Sequence, residues 1–345
     1  MSHYVYVPIG SAQHLLVLAM DPLSGALAMR HEVPLGKSPH AMCADIARKN
    51  VYIGLGQGEA YAIAAYAIDR QTGGLTPVGE VAVEGMPCYL GTDCTGKFLL
   101  AAYYSAGLVT VHAIGAGGAL QERMVCRYET ETYAHFIATD PTNRYAFVPH
   151  VESANAIYQF DFDQSTGQLT ANKHTPILAC GAGEGPRHLV FHPTMDLVYA
   201  DNEQGSSVTV YRFDSGQGTL VAVQTVSTLP AEGCEGNSNA QIHIHPSGKS
   251  LYVSNRGHNS IAGFAVDAKT GKLKSIGQFA TGETPRSFNL GPNNKWLVAA
   301  GQKSNDLHIY ERNLKTGKLT KLRTQPTGQN PSWVQFIPIR TAKKK

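Results

Sequence analysis

An arginine and a glutamate stand at corresponding ends of two apolar segments in the middle of the sequence. Arg187 begins the first segment, and Glu203 follows the second one, sixteen residues later. A guanidinium group is a rigid fork of donors that suits carboxylate or phosphate, and a carboxylate can transfer a proton to or from a reacting group. The two residues therefore indicate either a site for an anionic small molecule or a structural ion pair.

The stretch that carries these two residues is one copy of a repeat. Each copy opens with a short anchor, usually centred on proline, and continues as strand, turn, strand, loop and strand. The anchors are centred on Pro39, Pro87, Ala134, Pro186, Ala240, Pro285 and Pro331, and they are 45 to 54 residues apart. This period is typical of propeller blades that contain four strands.

Turn motifs separate the strands at similar places in each copy. Residues 192–194 (HPT) follow a first strand, and residues 269–271 (KTG) precede a fourth strand. Proline presets a turn dihedral and glycine adopts the left-handed one, so these motifs favour hairpin connections. No segment has the apolar spacing of an amphipathic helix.

The two ends of the chain complete each other. The last anchor is followed by only one strand, over residues 333–337, and the N-terminus supplies a second strand over 3–7 and a third over 15–20. Pairing the two ends closes the ring and leaves no long exposed edge. The sequence therefore predicts an all-β, seven-bladed β-propeller of four-stranded blades, with one blade shared between the termini. We expect a single domain over residues 1–338 and a basic tail over 339–345.

The propeller geometry brings two groups of polar residues to one end of the central channel, which we call the mouth. In each blade the first strand lines the channel and the second runs antiparallel beside it, so the start of one meets the end of the other. The residues after the anchors are His40, Cys88, His135, Arg187, Gln241, Arg286 and Ser332, and those at the ends of second strands include Tyr103, Tyr104, His150, Asn202, Glu203, Asn255, Arg256, Gln302 and Lys303. Several cations with one glutamate predict an anionic ligand, with Glu203 or His135 for proton transfer.

Other kinds of site have less support. His135 could equally be a hydrogen-bonded histidine of the channel wall. His243 and His245 lack a third metal ligand, and no helix pattern follows the glycines of residues 54–58 (GLGQG), which a dinucleotide site requires. We therefore expect no metal and no cofactor.

The composition excludes several partners. The net charge is +3, 16% of the residues are charged, and no basic stripe is present, so nucleic acid is not expected. No apolar run is long enough to span a membrane, and the N-terminus does not resemble a signal peptide. Six scattered cysteines without a CxxC pair are typical of reduced thiols. These features favour a cytoplasmic protein, and we expect a monomer or a dimer.

Five motifs lie on the repeats, at residues 185–188 (GPRH), 202–208 (NEQGSSV), 251–256 (LYVSNR), 284–289 (TPRSFN) and 299–304 (AAGQKS). With them the chain resembles the seven-bladed propeller lactonases, a family that includes bacterial 6-phosphogluconolactonases and fungal carboxymuconate cyclases. The resemblance covers essentially the whole chain. It implies the hydrolysis or formation of a sugar-type or acid lactone without a metal.

The resemblance also implies roles for individual residues. The catalytic group would consist of His135, Arg187, Glu203 and Arg256, with Arg286 as a competitor of Arg256 for the second arginine role. The residues expected to bind the substrate are Arg286, Lys303, Gln302, His150 and Asn202. The expected function is a cofactor-independent lactonase that acts on an anionic sugar-type lactone such as 6-phosphogluconolactone.

Two alternatives remain open at this point. A carboxymuconate-type cycloisomerase would use the same arginines on an organic acid, with Glu203 or His135 moving a proton to or from carbon. A binding scaffold without chemistry would need a mouth rich in exposed aromatic residues, and fold alone does not decide function.

Overall fold

The structure is a computed structural model in which residues 3–339 are described. Within that range the chain forms seven sheets arranged as the blades of a propeller. We number the blades 1 to 7, so that blade 1 begins after the first anchor and blade 7 is shared by the chain ends. The helices of the described range are three short 3-10 turns, at Gly10–Ala12, Ala116–Gly118 and Pro292–Asn294.

The strands follow the order of the repeats. The N-terminal strands of blade 7 are β1 (His3–Ile9), β2 (His14–Met20) and β3 (Leu27–Pro34). Blade 1 contains β4 (Ser38–Ala44), β5 (Asn50–Gln57), β6 (Ala60–Ile68) and β7 (Leu75–Val83). Blade 2 contains β8 (Tyr89–Thr92), β9 (Phe98–Tyr103), β10 (Leu108–Ala113) and β11 (Cys126–Glu129). Blade 3 contains β12 (Ala138–Thr139), β13 (Tyr145–His150), β14 (Ala156–Phe162), β15 (Leu169–Ala171) and β16 (Ile177–Ala179), and the last two both pair with β14.

The second half of the ring is more regular. Blade 4 contains β17 (Pro186–Phe191), β18 (Leu197–Asn202), β19 (Ser207–Asp214) and β20 (Thr219–Ser227). Blade 5 contains β21 (Ser238–Ile244), β22 (Ser250–Arg256), β23 (Ser260–Val266) and β24 (Leu273–Ala280). Blade 6 contains β25 (Pro285–Leu290), β26 (Trp296–Gly301), β27 (Asp306–Arg312) and β28 (Leu319–Pro326), and β29 (Gln335–Pro338) completes blade 7.

The hairpin turns form as their residue types predict. In blade 5, Asp267 Oδ1 accepts hydrogen bonds from the backbone N–H groups of Lys269 and Thr270, at 3.0 and 2.8 Å. Gly271 has a φ of +67°, and a Cβ there would lie 1.9 Å from a side-chain carbon of Leu197 in blade 4. Only glycine fits both the left-handed backbone and this close approach. The turn therefore closes a hairpin and also seats one blade against the next.

The ring closes as the sequence predicts. β29 pairs antiparallel with β1, so that Tyr4 lies opposite Ile337. The C-terminal strand begins two residues later than the predicted residue 333. The reason is a contact with blade 6, because the N–H of Val334 donates to Ser287 Oγ at 3.0 Å and its carbonyl accepts from Asn289. The predicted seven-bladed propeller is confirmed. The domain boundary at 338 stays a prediction, and residues 340–345 of the predicted tail lie outside the described residues.

The hydrophobic core lies between neighbouring blades. Val5 and Val7 of blade 7, for example, pack with Val298 and Ala300 of blade 6, and all four are fully buried. Such packing on both faces of each sheet holds the blades at fixed angles around the channel. The polar residues at the mouth are thus mounted on rigid strands.

Candidate active site

A cavity of about 340 Å³ opens at the mouth. Its lining residues are His40, Met86, Cys88, Tyr104, Ser105, His135, Glu203, Arg256 and Arg286. Four of them, His135, Glu203, Arg256 and Arg286, were predicted as site residues, and we call this space the site cavity. A larger cavity of about 820 Å³ beside Tyr4 and Asp21 contains none of the predicted site residues.

Irregular strand pairing aims side chains at the channel. In blade 4, Pro186 lies opposite Asn202 and His188 lies opposite Asp201, so Arg187 is an extra residue in β17. Blade 6 has the same irregularity at Arg286, between Pro285 and Ser287. A bulge re-aims the side chain of its extra residue and ends the regular pairing. The anchor residues therefore set the direction of both arginines.

Glu203 is held between two arginines. Its Oε2 lies 2.6 Å from Nε of Arg187, and its Oε1 lies 2.7 Å from Nη2 of Arg256. The side chain of Arg187 is 2% exposed, whereas those of Glu203 and Arg256 are 15% exposed. Burial opposes ionisation of Glu203, but the charges of Arg187 and Arg256 outweigh it and lower the pKa of the carboxyl. Glu203 is therefore a carboxylate at neutral pH.

The two arginines are fixed from behind by blade 5. Arg256 Nη2 donates to the backbone carbonyl of Asn239 at 2.7 Å. Arg187 Nη1 donates to the carbonyl of Ala240 and, at 3.3 Å, to Nε2 of His188. These contacts leave one edge of the Glu203 carboxylate beside the cavity while both guanidinium groups are held in place. Glu203 is thus held in a fixed position, and the positive charges of Arg187 and Arg256 keep it ionised.

Arg286 is the cation of the site cavity that has no acidic partner. Across residues 3–339, its guanidinium forms no hydrogen bond and no ion pair. Burial and the nearby positive charges of Arg187 and Arg256 lower its pKa to about 10. It remains protonated at neutral pH and has its donors available. An anionic group of a ligand would satisfy them.

The histidines of the site cavity are neutral. Burial, followed by the positive charge of Arg187, lowers the pKa of His135 well below its ordinary value. Burial and Arg286 lower the pKa of His40 to about 4. The Nδ1 atoms of both rings are buried and find no hydrogen-bond partner in the described part of the chain. Both rings are therefore uncharged at neutral pH and border the site cavity.

Two predicted substrate-binding residues do not reach the site cavity. His150 is fully buried, and its ring nitrogens contact Thr130 Oγ1 at 2.9 Å and the carbonyl of Val148 at 3.0 Å. Asn202 is also fully buried and donates to Ser207 Oγ and Thr209 Oγ1, at 2.8 and 2.9 Å. His150 thus links β13 to the segment that follows β11 of blade 2, and Asn202 links two strands of blade 4.

The other two predicted substrate-binding residues lie outside the lining. Lys303 is exposed and only its backbone N–H has a described contact, to the carbonyl of Glu283. Gln302 is half-buried, and its Nε2 donates to Asn330 Oδ1 at 2.6 Å. Neither of them borders the site cavity. The structure thus brings together the predicted catalytic group and Arg286, but not the remaining four.

Sequence reasoning placed His40, Tyr104 and Cys88 at the mouth without assigning them a role. All three line the site cavity, together with Met86 and Ser105. The signal for His40 and Cys88 was their place directly after an anchor. The signal for Tyr104 was the end of a second strand, whereas Met86 and Ser105 have no type or spacing that indicates a site.

Cys88 is not a nucleophile in this setting. Its Sγ lies 3.3 Å from the carbonyl oxygens of Ala102 and Ala134. Burial raises the pKa of the thiol to about 12. Because the thiolate is the reactive species, Cys88 fills space in the wall.

Residues 3–339 contain no group of three or more histidine, cysteine, aspartate or glutamate side chains arranged to hold a metal ion. The predicted independence from metals stays a prediction. No helix in the described range is long and apolar enough to cross a membrane.

A family model described as "Lactonase, 7-bladed beta-propeller" matches residues 2–336. The chain belongs to the seven-bladed β-propeller lactonase family. A relative named 6-phosphogluconolactonase, from Pectobacterium carotovorum, is 32% identical over 290 residues, which are 84% of this chain and 85% of the relative. A second relative of that name, from Yersinia enterocolitica, is 30% identical over 84% of this chain and 85% of its own length.

Solved structures of similar proteins have the same fold. A protein of Lactobacillus plantarum has a TM-score of 0.89 and 27% identity, and the match covers 97% of this chain and 99% of that protein. The periplasmic gluconolactonase of Pseudomonas aeruginosa has the same fold, with a TM-score of 0.89 at 23% identity over 99% of this chain and the whole of that protein. The predicted membership of the propeller lactonases is confirmed.

Proposed function

We propose that this propeller lactonase hydrolyses 6-phosphogluconolactone to 6-phosphogluconate without a cofactor. The observation that carries the proposal is the ionised Glu203 clamped by Arg187 and Arg256 beside the unpartnered Arg286 in one cavity. The names of the 30–32% identical relatives support this substrate. Both the lactone carbonyl and the phosphate of the substrate would find complementary groups.

Arg286 binds the phosphate. It is the guanidinium of the cavity that no carboxylate occupies, and the phosphate supplies the missing acceptors. Its bulged position in β25 aims it across the cavity, since β25 belongs to blade 6 and Glu203 to blade 4. The lactone ring would lie between them. Lys303, which is exposed outside the cavity wall, adds only a screened attraction.

Glu203 orients the attacking water. Hydrolysis adds the water oxygen to the lactone carbonyl carbon, breaks the bond from that carbon to the ring oxygen, and moves one water proton to the departing ring oxygen. Glu203 stays ionised because its pKa is lowered, so it accepts a hydrogen bond from water throughout the neutral range. His135, which is neutral and lines the site cavity, passes the proton to the leaving oxygen.

Arg256 stabilises the charge that develops on the carbonyl oxygen. It lines the cavity and is 15% exposed, whereas Arg187 is 2% exposed and lies behind Glu203. A fixed cation directed at a developing oxyanion lowers the barrier because it needs no reorganisation. Arg187 has a different role, which is to hold the Glu203 carboxylate in place. The catalytic group therefore contains Arg187 and Arg256, and Arg286 binds the substrate instead.

The location and assembly state are also part of the proposal. The six cysteines are free thiols, which is the usual state in the cytoplasm. We propose a cytoplasmic enzyme that is active as a monomer or a dimer. Cell fractionation and light scattering of the purified protein would test the two statements.

Parallel assays test the proposed reaction. Incubation with 6-phosphogluconolactone should raise the rate of acid formation far above the uncatalysed rate, which must be measured in the same buffer because the lactone hydrolyses spontaneously. Incubation with carboxymuconate, the substrate type of the cycloisomerase alternative, should give no turnover. Turnover of carboxymuconate alone would contradict the proposal, and turnover of neither compound would favour a binding scaffold.

A further inference from the structure

A second carboxyl group lies behind the Arg187–Glu203 pair. Asp201 belongs to β18, and Glu203 lies two residues later in the turn that follows this strand. Asp201 is fully buried. Its Oδ1 accepts a hydrogen bond from the backbone N–H of His188 at 3.0 Å. Its Oδ2 is buried and has no hydrogen-bond partner among the described residues.

The other blades show that the fold does not require an acid at this position. The corresponding residue of blade 5 is Ser254, which precedes Asn255 as Asp201 precedes Asn202. Ser254 Oγ accepts from the backbone N–H of Gln241 at 3.0 Å, so it also satisfies a backbone donor of the first strand of its blade, as Asp201 does with His188. In blade 6 the position is Ala300. A hydroxyl or a methyl group is thus sufficient for the blade, and the carboxyl of Asp201 needs another explanation.

Charged and titratable groups surround Asp201 from two blades. They are Arg187 and His188 on β17, Glu203 in the turn after β18, and Arg256 on β22. Burial raises the pKa of the Asp201 carboxyl to about 7, against the lowering effect of Arg187 and of the His188 N–H. This carboxyl therefore changes charge in the range in which the arginines and Glu203 keep theirs.

We propose that Asp201 is a positioning residue whose charge state controls how strongly the arginine group holds an anionic substrate. When Asp201 is uncharged, Glu203 is the carboxylate that pairs with Arg187. Arg187, Arg256 and Arg286 together with the Glu203 carboxylate then give the cavity a net positive charge. Charged, Asp201 adds a second carboxylate behind Arg187 and reduces that net charge. The inference rests on the proposed function, because it concerns the anionic lactone of the same site.

Two variants separate the charge of Asp201 from its backbone contact. Asp201→Asn keeps the shape of the side chain and an oxygen that can accept from His188. Asp201→Ser reproduces the residue that blade 5 uses at Ser254. Both variants remove the titrating group, and neither touches the cavity lining.

The first measurement is the Kd of 6-phosphogluconate for the wild type and both variants, by calorimetry at about pH 6 and about pH 8.5. Comparing the proteins at one pH cancels the titration of the ligand's own phosphate. At the lower pH the three Kd values should agree. At the higher pH both variants should bind roughly fivefold more tightly than the wild type. Equal Kd values at both pH values, in variants that fold normally, would overturn the proposal.

The second measurement is the Tm of the three proteins across the same pH range, without ligand. An acid whose pKa is raised in the folded state binds more protons there than in the unfolded chain, so its stabilising effect is lost as pH rises to about 7. The Tm of the wild type should fall relative to both variants up to that pH and then run parallel. Parallel Tm profiles throughout would overturn the proposal. Absence of 6-phosphogluconate binding by all three proteins would instead contradict the proposed function, and the Tm profiles would still decide whether Asp201 titrates.

Discussion

Nε of Arg187 and Oε2 of Glu203 lie 2.6 Å apart at the mouth of the propeller, where β17 begins and the turn after β18 follows. Each group stabilises the charged form of the other. Burial alone would lower the pKa of the arginine and raise that of the acid, and their mutual attraction opposes both effects. The pair is thus a fixed dipole whose negative end borders the site cavity. Arg256, on the far side of Glu203, makes this end the centre of the proposed chemistry.

Substitution of the unpartnered arginine should affect substrate binding more than turnover. Arg286→Gln removes the cation assigned to the phosphate, and a charged hydrogen bond of this kind corresponds to a KM increase of roughly thirtyfold. The kcat should change by less than about threefold, because Glu203 and Arg256 are untouched. Steady-state kinetics with 6-phosphogluconolactone, corrected for the spontaneous rate, measure both constants.

Lys303→Gln is the matched control for that experiment. It removes one positive charge at the same mouth, but from an exposed side chain outside the cavity lining. An exposed charge contributes little to the binding energy of the substrate, so the KM should rise by less than about threefold. If the effects of the two substitutions were reversed, the phosphate would lie at Lys303 and the role of Arg286 would be wrong.

His135 should matter for turnover, in contrast to His150. His135→Gln removes the neutral ring that passes the proton, and kcat should fall by about 100-fold at nearly constant KM. His150→Gln alters a residue that is fully buried beside Thr130, so it should lower the Tm and leave both kinetic constants near the wild-type values. A kcat for His135→Gln close to that of the wild type would assign His135 to the wall of the channel.

Stability should fall as the pH decreases below neutrality. Burial is the largest cause that lowers the pKa values of His40, His150 and His243 to about 4 in the folded protein, against an ordinary value of 6.5. The unfolded chain therefore binds more protons between about pH 6.5 and pH 4, and the free energy of unfolding decreases through this window. The raised pKa of Asp201, about 7, has the opposite effect in this window and offsets part of the loss. Between pH 7 and pH 5 we therefore expect a net decrease of roughly 3 kcal/mol in urea titrations. His150→Gln should make this dependence shallower, and a stability independent of pH would contradict the neutral state of these rings.

The ring, its closure and the central pair could be predicted from sequence because each depends on a repeated pattern. The anchors mark where first strands begin, and the incomplete last copy requires the N-terminal strands. Arg187 and Glu203 stand out because blade 4 is the copy with an arginine and a glutamate at these two positions. The predicted seven-bladed fold is confirmed on these grounds.

The directions of individual side chains could not be predicted in the same way. A residue at the end of a second strand can point into the channel, into its own blade or into solvent, and one step along the strand reverses the face. His150 and Asn202 turn into their blades, and Lys303 turns outward. The bulge that aims Arg187 depends on pairing with β18, which no local pattern reveals. A role for Asp201 could not be predicted from the sequence, because the feature that makes it unusual is its complete burial and not its spacing.

The most direct test of the account is the hydrolysis of 6-phosphogluconolactone by Glu203→Gln compared with the wild type, against the uncatalysed rate in the same buffer. Glu152→Gln is the control, because Glu152 is exposed and outside the cavity lining, and its side chain accepts a hydrogen bond from Gln204 Nε2 at 3.0 Å. Glu203→Gln should unfold cooperatively at a lower Tm, because Arg187 loses its partner. Its kcat/KM should fall by about two to four orders of magnitude, while the control retains full activity. A folded Glu203→Gln protein with wild-type turnover would contradict the central claim that Glu203 is the acid at which the reaction takes place.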